Sequence, residues 1–248
     1  MEAWHLDLST AVACAAGVLV AYVIFGLTSF GAPLVAAPIL AHFLPLPVAI
    51  PLQATLDLVA SLVLGGKERK QVDWKEVRWL VVPMLLGMVL GTTLLIGLPK
   101  RASLLALGLF VAAFGVAGLA NQLKFPPLPR TAAFMAVVVG GVLSSLFAAG
   151  GPIYVMHLTN RIADPVVLRS TIATAALLSA VLRVTVFAFS GLLATPGLWF
   201  AVAALLPCLV LGVFLGRWLL RKLSPKVNRA LIYALLVASG VSLVWRYA

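Results

Sequence analysis

This sequence has few charged residues. Only 10% of its 248 residues are charged, 63% are hydrophobic, and the mean hydropathy is +1.13. Soluble domains use about 25% charged and 45–50% apolar residues, so this composition excludes an ordinary water-soluble globular protein. It predicts instead an all-α protein that crosses the lipid bilayer several times.

The sequence also has few of the side chains on which catalysis and metal binding depend. Its two cysteines, Cys14 and Cys208, lie in apolar segments, where a thiol behaves as a small hydrophobic group, and we expect no disulfide. The three histidines are scattered, without partners at the spacing of a metal site. Neither a G-x-S-x-G elbow nor an H-E-x-x-H motif is present. We therefore expect no cofactor, no metal and no enzymatic activity.

Basic residues outnumber acidic ones, and the formal net charge is +11. The Lys and Arg residues occupy short loops between apolar segments, where they orient a protein in the membrane, so nucleic-acid binding is not expected. The first residues, MEAWHLDLS, contain no Lys or Arg and do not resemble the start of a cleavable signal peptide. The first helix is therefore expected to be retained.

Ten apolar stretches are predicted to form helices. Several reach the roughly 20 residues needed to cross a hydrocarbon core of about 30 Å. Those next to the two motifs described below are shorter, and we predict half-helices or re-entrant hairpins there. The ten stretches are residues 10–25, 34–44, 46–64, 79–98, 102–120, 131–147, 152–159, 168–190, 199–220 and 228–245.

Two distant segments share a Gly-small-Pro triplet within an uncharged apolar run. The first break is Gly31-Ala32-Pro33, within FGLTSFGAPLVAAPIL, and the second break is Gly150-Gly151-Pro152, within LSSLFAAGGPIYVMHL. A helix that ran unbroken through such a triplet in hydrocarbon would leave backbone groups unpaired, at a cost of several kcal/mol each. A chain that accepts this cost twice is predicted to use the freed backbone, most often to line a transport site.

The match between the two segments extends over both halves of the chain. The segment 51–62 aligns with 170–181 at the same offset of 119, and Gly87-x-x-x-Gly91 aligns with Gly212-x-x-x-Gly216 at an offset of 125. We predict a single membrane domain made of two repeats, residues 1–124 and 125–248. Gly-x-x-x-Gly suits close helix packing within one protomer or between two, so a homodimer is an open alternative.

Loop charges predict that the two repeats have opposite orientations. If basic loops face the cytoplasm, residues 66–78, 121–130, 160–169 and 217–229 lie inside and hold 14 of the 18 Lys and Arg residues. Both termini then face outward. Each repeat is predicted to contain one broken or re-entrant hairpin and three membrane-spanning helices, for 8 to 10 helical segments in all.

Inverted repeats with broken helices are typical of secondary transporters, whose substrates bind near the midplane between the repeats. A helix that starts after each break presents free N–H groups and the positive end of its dipole to an anion. A kink that serves packing alone is the alternative interpretation, and a passive small-anion channel is the alternative function. The candidate substrate-binding residues are Thr28, Ser29, Gly31, Ala32, Pro33, Gly150, Gly151, Pro152 and Arg183.

Asp57 and Arg183 are the two clear ionisable residues inside apolar segments, where such residues are functional candidates. Their positions predict depths of roughly 16 and 10 Å from the outer surface, a difference that an Arg side chain can bridge. Arg183 is expected to neutralise the anion and Asp57 to release it or carry a proton. A structural Asp57–Arg183 ion pair, or an Arg183 that reaches outward to the interface, is the alternative. Gln53, one turn from Asp57, and His157 are further candidates for coupling or gating.

The two broken segments resemble those of the sulfite exporter TauE/SafE family, also called the TSUP permeases. The most similar parts are TSFGAPLVAAPIL at residues 28–40 and LFAAGGPIYVMHL at residues 146–158, and the resemblance covers nearly the whole chain. It implies a cytoplasmic-membrane permease for sulfite, organosulfonates and related small anions, with export as the expected direction.

Overall fold

The computed structural model describes residues 8–28, 32–65, 71–120, 128–220 and 225–247. In these ranges the regular structure is helical throughout, as the composition predicts, and a single 3₁₀ turn, Leu192–Ala194, joins two of the helices. The α-helices are α1 (Leu8–Thr28), α2 (Ala32–Phe43), α3 (Leu46–Gly65), α4 (Trp74–Gly97), α5 (Lys100–Leu119), α6 (Arg130–Phe147), α7 (Gly151–Thr159), α8 (Pro165–Phe189), α9 (Leu198–Leu220) and α10 (Pro225–Tyr247).

Seven of the described helices are long and apolar enough to cross a membrane: α1, α3, α4, α5, α6, α8 and α9. The two helices that follow the breaks are short, with 12 residues in α2 and 9 in α7. The expectation of a short segment before each break is wrong, because α1 has 21 residues and α6 has 18, and both are long enough to cross. The last turns of α1 lie directly against α9, since a Cβ atom at Gly26 would meet the carbonyl oxygen of Val213, and this contact supports the helix up to Thr28.

The second break is a sharp turn between α6 and α7. Helix α6 ends where Ala148 adopts a left-handed conformation (φ 56°, ψ 19°), and the N–H of Ala149 donates a hydrogen bond to the carbonyl of Leu143 at 3.1 Å. Helix α7 then begins at Gly151, with Pro152 in its first turn, where its missing N–H costs nothing. Residues 29–31 of the first break lie outside the described residues.

The two halves of the chain pack in equivalent ways. Helix α4 packs on α6 and α9 packs on α1, while α3 contacts α8 and α5 contacts α10. At Gly87 a Cβ atom would meet the carbonyl oxygen of Val138, and at Gly212 it would meet that of Leu19. One turn later, Gly91 lies in the same way against Val142, and Gly216 against Val23. The glycines are 125 positions apart and their partners 119 apart, which are the two offsets of the sequence alignment.

Helices α3 and α8 occupy corresponding places in the two halves and contact each other. Helix α3 is the most enclosed of the seven spans and is contacted by α2, α8 and α9. By contrast, Leu86, Leu90 and Phe214 are exposed on the outer faces of α4 and α9, as expected of side chains that meet lipid tails. On α3 and α8, Gln53, Asp57 and Arg183 are thereby kept away from both water and lipid.

Candidate functional site

A buried ion pair joins the two halves at the centre of the helix bundle. The Nη2 atom of Arg183, on α8, donates a hydrogen bond to Oδ2 of Asp57, on α3, at 2.6 Å. The two side chains are only 4% and 6% exposed. Removing such charges from water costs several kcal/mol per ion, so each depends on the other for compensation. The structure thus brings together the two ionisable residues that the sequence places at similar depths.

Two neutral side chains complete the coordination of the carboxylate. The hydroxyl of Tyr22, on α1, donates to Asp57 Oδ1 at 2.8 Å, and the amide nitrogen of Gln53 donates to the same oxygen at 2.9 Å. Gln53 also donates to the Tyr22 oxygen at 3.0 Å. Three helices therefore hold Asp57, which accepts hydrogen bonds at both oxygens, and Gln53 shares its helix face as the four-residue spacing predicts.

Arg183 also reaches the end of α6, next to the second break. Its Nη1 atom donates to the carbonyl oxygen of Ser144 at 3.2 Å, and both Ser144 and its neighbour Ser145 are buried. The hydroxyl of Tyr154, on α7, lies near the same place, because a Cβ atom at Gly150 would be 2.8 Å from both that hydroxyl and the Ser144 Cβ. The cation is thus enclosed between α3, α6, α7 and α8.

The two glycines of the second break have different surroundings. Gly150 is buried, and a Cβ atom there would meet the carbonyl oxygen of Gly140, so close backbone packing requires glycine at this position. Gly151 is partly exposed, and a Cβ atom there would meet nothing within 4 Å. Its N–H belongs to the first turn of α7, whose N–H groups have no partner within the helix. Pro152 is buried in the same turn.

The first break is described only in part. Ser29 and Gly31 lie outside the described residues, and the side chains of Thr28 and Pro33 also lie outside them. Ala32 is fully buried at the start of α2. The predicted pairing of the two breaks around one site therefore stays a prediction.

His157 lies in a second polar cluster, away from the ion pair. Its Nε2 atom is 3.2 Å from Oε2 of Glu76, on α4, and its ring stacks on Trp79 with centroids 4.6 Å apart and planes 12° apart. Arg130, on α6, lies 3.9 Å from the other Glu76 oxygen. Both halves contribute to this cluster, which lies at the first turns of α4 and α6 and near the end of α7. Trp79 also packs edge-on against Phe134, on α6, with ring centroids 6.2 Å apart.

Several of these contacts could not be read from the sequence. Tyr22 and Tyr154 are single hydroxyl groups in apolar helices without any distinguishing spacing, and Glu76 stands in a mainly basic segment, residues 66–78. The repeat-equivalent Thr55 and Thr174, by contrast, only donate to their own helices, at the carbonyl oxygens of Pro51 and Ser170. Such bonds are usual for Thr in membrane helices.

At the central site, the buried cation of Arg183 can pair with an anion. The guanidinium of Arg183 offers five N–H donors, and its geometry suits planar or tetrahedral oxyanions. In the state described here, Asp57 is the anion that it binds. An external oxyanion of similar size can take the place of this carboxylate if the charge on Asp57 is compensated in another way.

Among the described residues, seven apolar helices long enough to cross a membrane, with the enclosed Asp57–Arg183 pair at the contact of the two halves, define a polytopic membrane protein. Comparison with known proteins gives the particular kind. The model of the family described as sulfite exporter TauE/SafE matches residues 13–243, and the chain belongs to this family. The family resemblance of the two broken segments is thereby confirmed.

Two curated relatives show the same relationship. The chain is 30% identical over 195 residues to a probable inner membrane transporter protein, TsaS, of Comamonas testosteroni, covering 77% of this chain and 82% of the relative. It is 28% identical over 203 residues to a probable sulfite/organosulfonate exporter, TauE, of Cupriavidus necator, covering 77% of this chain and 78% of the relative. No solved structure matches the chain.

Proposed function

We propose that this protein carries small sulfur-containing anions, such as sulfite or organosulfonates, across the cytoplasmic membrane by alternating access. The observation that supports this most strongly is Arg183, a cation enclosed at the contact between the two halves and held by one exchangeable carboxylate. The relative named as a probable sulfite/organosulfonate exporter supports the substrate class and suggests export as the direction.

The substrate site in this proposal lies between Arg183 and the second break. The guanidinium compensates the charge of the anion, and the N–H of Gly151, at the positive end of α7, donates to it. The open space beside Gly151 leaves room for this approach. The first break, with Thr28, Ser29, Gly31, Ala32 and Pro33, supplies the corresponding donors from the other repeat.

Alternation between the two sides requires two repeats that rock against each other. We assign them to residues 1–124 and 125–248 in opposite orientations, and the equivalent glycine contacts of α4 with α6 and of α9 with α1 support the duplication. Asp57 and Gln53 couple binding of the anion to the opening of the site. His157, which connects α7 to Glu76, gates the inner end.

The opposite orientation places both termini outside the cytoplasm. Alkaline phosphatase fused after residue 248 is then expected to be active and a green fluorescent protein fused there to be dark, because the first folds only outside and the second only inside. A fusion within residues 217–229 is expected to give the reverse. Fluorescence of the carboxyl-terminal fusion would contradict the assigned orientation.

Uptake into proteoliposomes tests the function. Labelled sulfite, sulfate, a sulfonate and a carboxylate are offered with and without a pH gradient. We expect sulfite or the sulfonate to enter, and Arg183→Ala to abolish this, since it removes the only cation in the described part of the enclosed centre. Arg217→Ala changes an exposed arginine at the end of α9 and is expected to retain wild-type uptake. If none of the anions moves, the substrate assignment is wrong.

A further inference from the structure

The central site contains a concentration of unpaired polar atoms. Among the described residues, five buried side-chain nitrogen or oxygen atoms form no hydrogen bond, and three of them belong to this site: Gln53 Oε1, the Tyr154 hydroxyl and Arg183 Nε. The other two are the hydroxyls of Ser103, on α5, and of Ser145, whose Cβ lies at the contact of α6 with Gly91 of α4. An unsatisfied buried polar atom costs about 1–3 kcal/mol, so three in one place point to a ligand-bound state in which they are paired.

The chemical types of these atoms divide between the two sides of the ion pair. Tyr154 and Arg183 contribute two hydrogen-bond donors on the α7 and α8 side, next to the second break. Gln53 contributes one acceptor on the α3 side, in the amide that already contacts Asp57. Donors beside the cation suit an oxyanion, whereas a spare acceptor beside a carboxylate suits a proton on that carboxylate.

Charge balance leads to the same combination. The empty site is neutral, because Asp57 and Arg183 compensate each other. An added monoanion would make it negative, and two like charges about 4 Å apart repel by about 4 kcal/mol at an effective dielectric constant of ~20. The other titratable groups nearby are Tyr22, on α1, and Tyr154, on α7, and neither supplies a positive charge. A proton on Asp57 restores neutrality.

We propose that the transported species is a singly charged oxyanion that moves together with one proton carried by Asp57; this rests on the transport function proposed above. The carboxylate takes the proton from the aqueous phase and releases Arg183, and the Gln53 amide turns so that Oε1 accepts from the new O–H. The anion replaces Asp57 on the guanidinium and accepts a hydrogen bond from Tyr154. On the other side the proton and the anion leave, and the ion pair forms again.

Electroneutral cotransport of one anion with one proton follows from this cycle, because both the empty and the loaded site have no net charge. A dianion would leave the loaded site negative, so sulfate and disulfonates are expected to be poor substrates. The direction of net transport is then set by the anion and proton gradients together and is independent of the membrane potential.

The wild-type protein in proteoliposomes provides the first test, with labelled isethionate as the probe. This sulfonate is a permanent monoanion, so any effect of pH on its flux belongs to the protein. An inside-alkaline pH gradient is expected to drive its accumulation, and a potassium diffusion potential of either sign to leave the flux unchanged. A flux that follows the potential, or one that ignores the pH gradient, overturns the proposal. If only sulfite is carried, a transport current with sulfite overturns it, and if neither anion moves, the underlying function fails instead.

Asp57→Asn provides the second test. The empty site of this variant has one uncompensated positive charge and the loaded site none, so isethionate uptake is expected to lose its response to the pH gradient and to increase at inside-positive potential. Asp164→Asn is the matched control, because Asp164 is an exposed helix cap at the start of α8 that asparagine can replace. Tyr154→Phe is expected to raise the KM for isethionate roughly tenfold, the effect of one hydrogen bond to a charged group, and to retain the pH response. Retention of the pH response in Asp57→Asn would overturn the assignment of the proton.

Discussion

Removal of one member of the central ion pair should destabilise the protein far more than removal of both. Arg183 Nη2 and Asp57 Oδ2 are 2.6 Å apart, and the side chains are at most 6% exposed. Unit charges about 4 Å apart attract by about 4 kcal/mol at an effective dielectric constant of ~20. We therefore expect Arg183→Gln and Asp57→Asn each to lower the free energy of unfolding by about 3–5 kcal/mol, the range found when a buried pair loses one partner.

The double variant decides whether this cost arises from the pairing. With both charges replaced by amides, nothing charged remains buried at this place, so a loss of only about 1–2 kcal/mol is expected. The measurement is reversible unfolding of all four proteins in detergent or bicelles, analysed as a double-mutant cycle. Arg130→Gln is the control, because this arginine is 57% exposed, lies 3.9 Å from Glu76 and should contribute at most about 1 kcal/mol. Single variants within 1 kcal/mol of wild type, or a double variant as unstable as the sum of the two, would refute the reasoning.

Three further predictions concern the breaks, the helix contacts and the inner cluster. Gly150→Ala should destabilise the fold by about 1–3 kcal/mol in thermal unfolding, because its Cβ meets backbone, whereas Gly151→Ala should leave stability unchanged and reduce uptake of the anion. Equal stability of the two variants would contradict this. Gly87→Ala should lower the melting temperature by pushing α4 away from α6, whereas Gly97→Ala, whose Cβ meets nothing within 4 Å, should not. His157→Ala leaves a carboxylate oxygen of Glu76 unpaired and should cost about 1–3 kcal/mol in the same assay; a smaller effect would mean that the contact is not maintained.

The number and type of the helices could be predicted from the sequence, because in a membrane the length of an apolar run is itself the structural signal. The approach of Asp57 to Arg183 could also be anticipated, since loop charges give the direction of each segment and counting along it gives a depth. What this method does not provide is the rotation of each helix, on which every side-chain contact depends.

Tyr22 and Glu76 show why the remaining parts of the site could not be predicted. Tyr22 reaches Asp57 because α1 packs on α9 through close contacts at Gly212 and Gly216, a constraint that involves residues nearly 200 positions away. Glu76 is buried because α7 folds back from the second break and places His157 beside it. Both contacts result from tertiary packing, which has no local sequence signal.

Counterflow in proteoliposomes tests the central claim most directly, because it separates a carrier from a channel and depends on the proposed site. Vesicles loaded with unlabelled sulfite and diluted into labelled sulfite should accumulate the label transiently above equilibrium, since the loaded site crosses in both directions. The same vesicles with Arg183→Ala should show no overshoot. A flux without overshoot that follows the membrane potential would identify a passive channel, and an overshoot retained in Arg183→Ala would contradict the role of Arg183 in binding the anion.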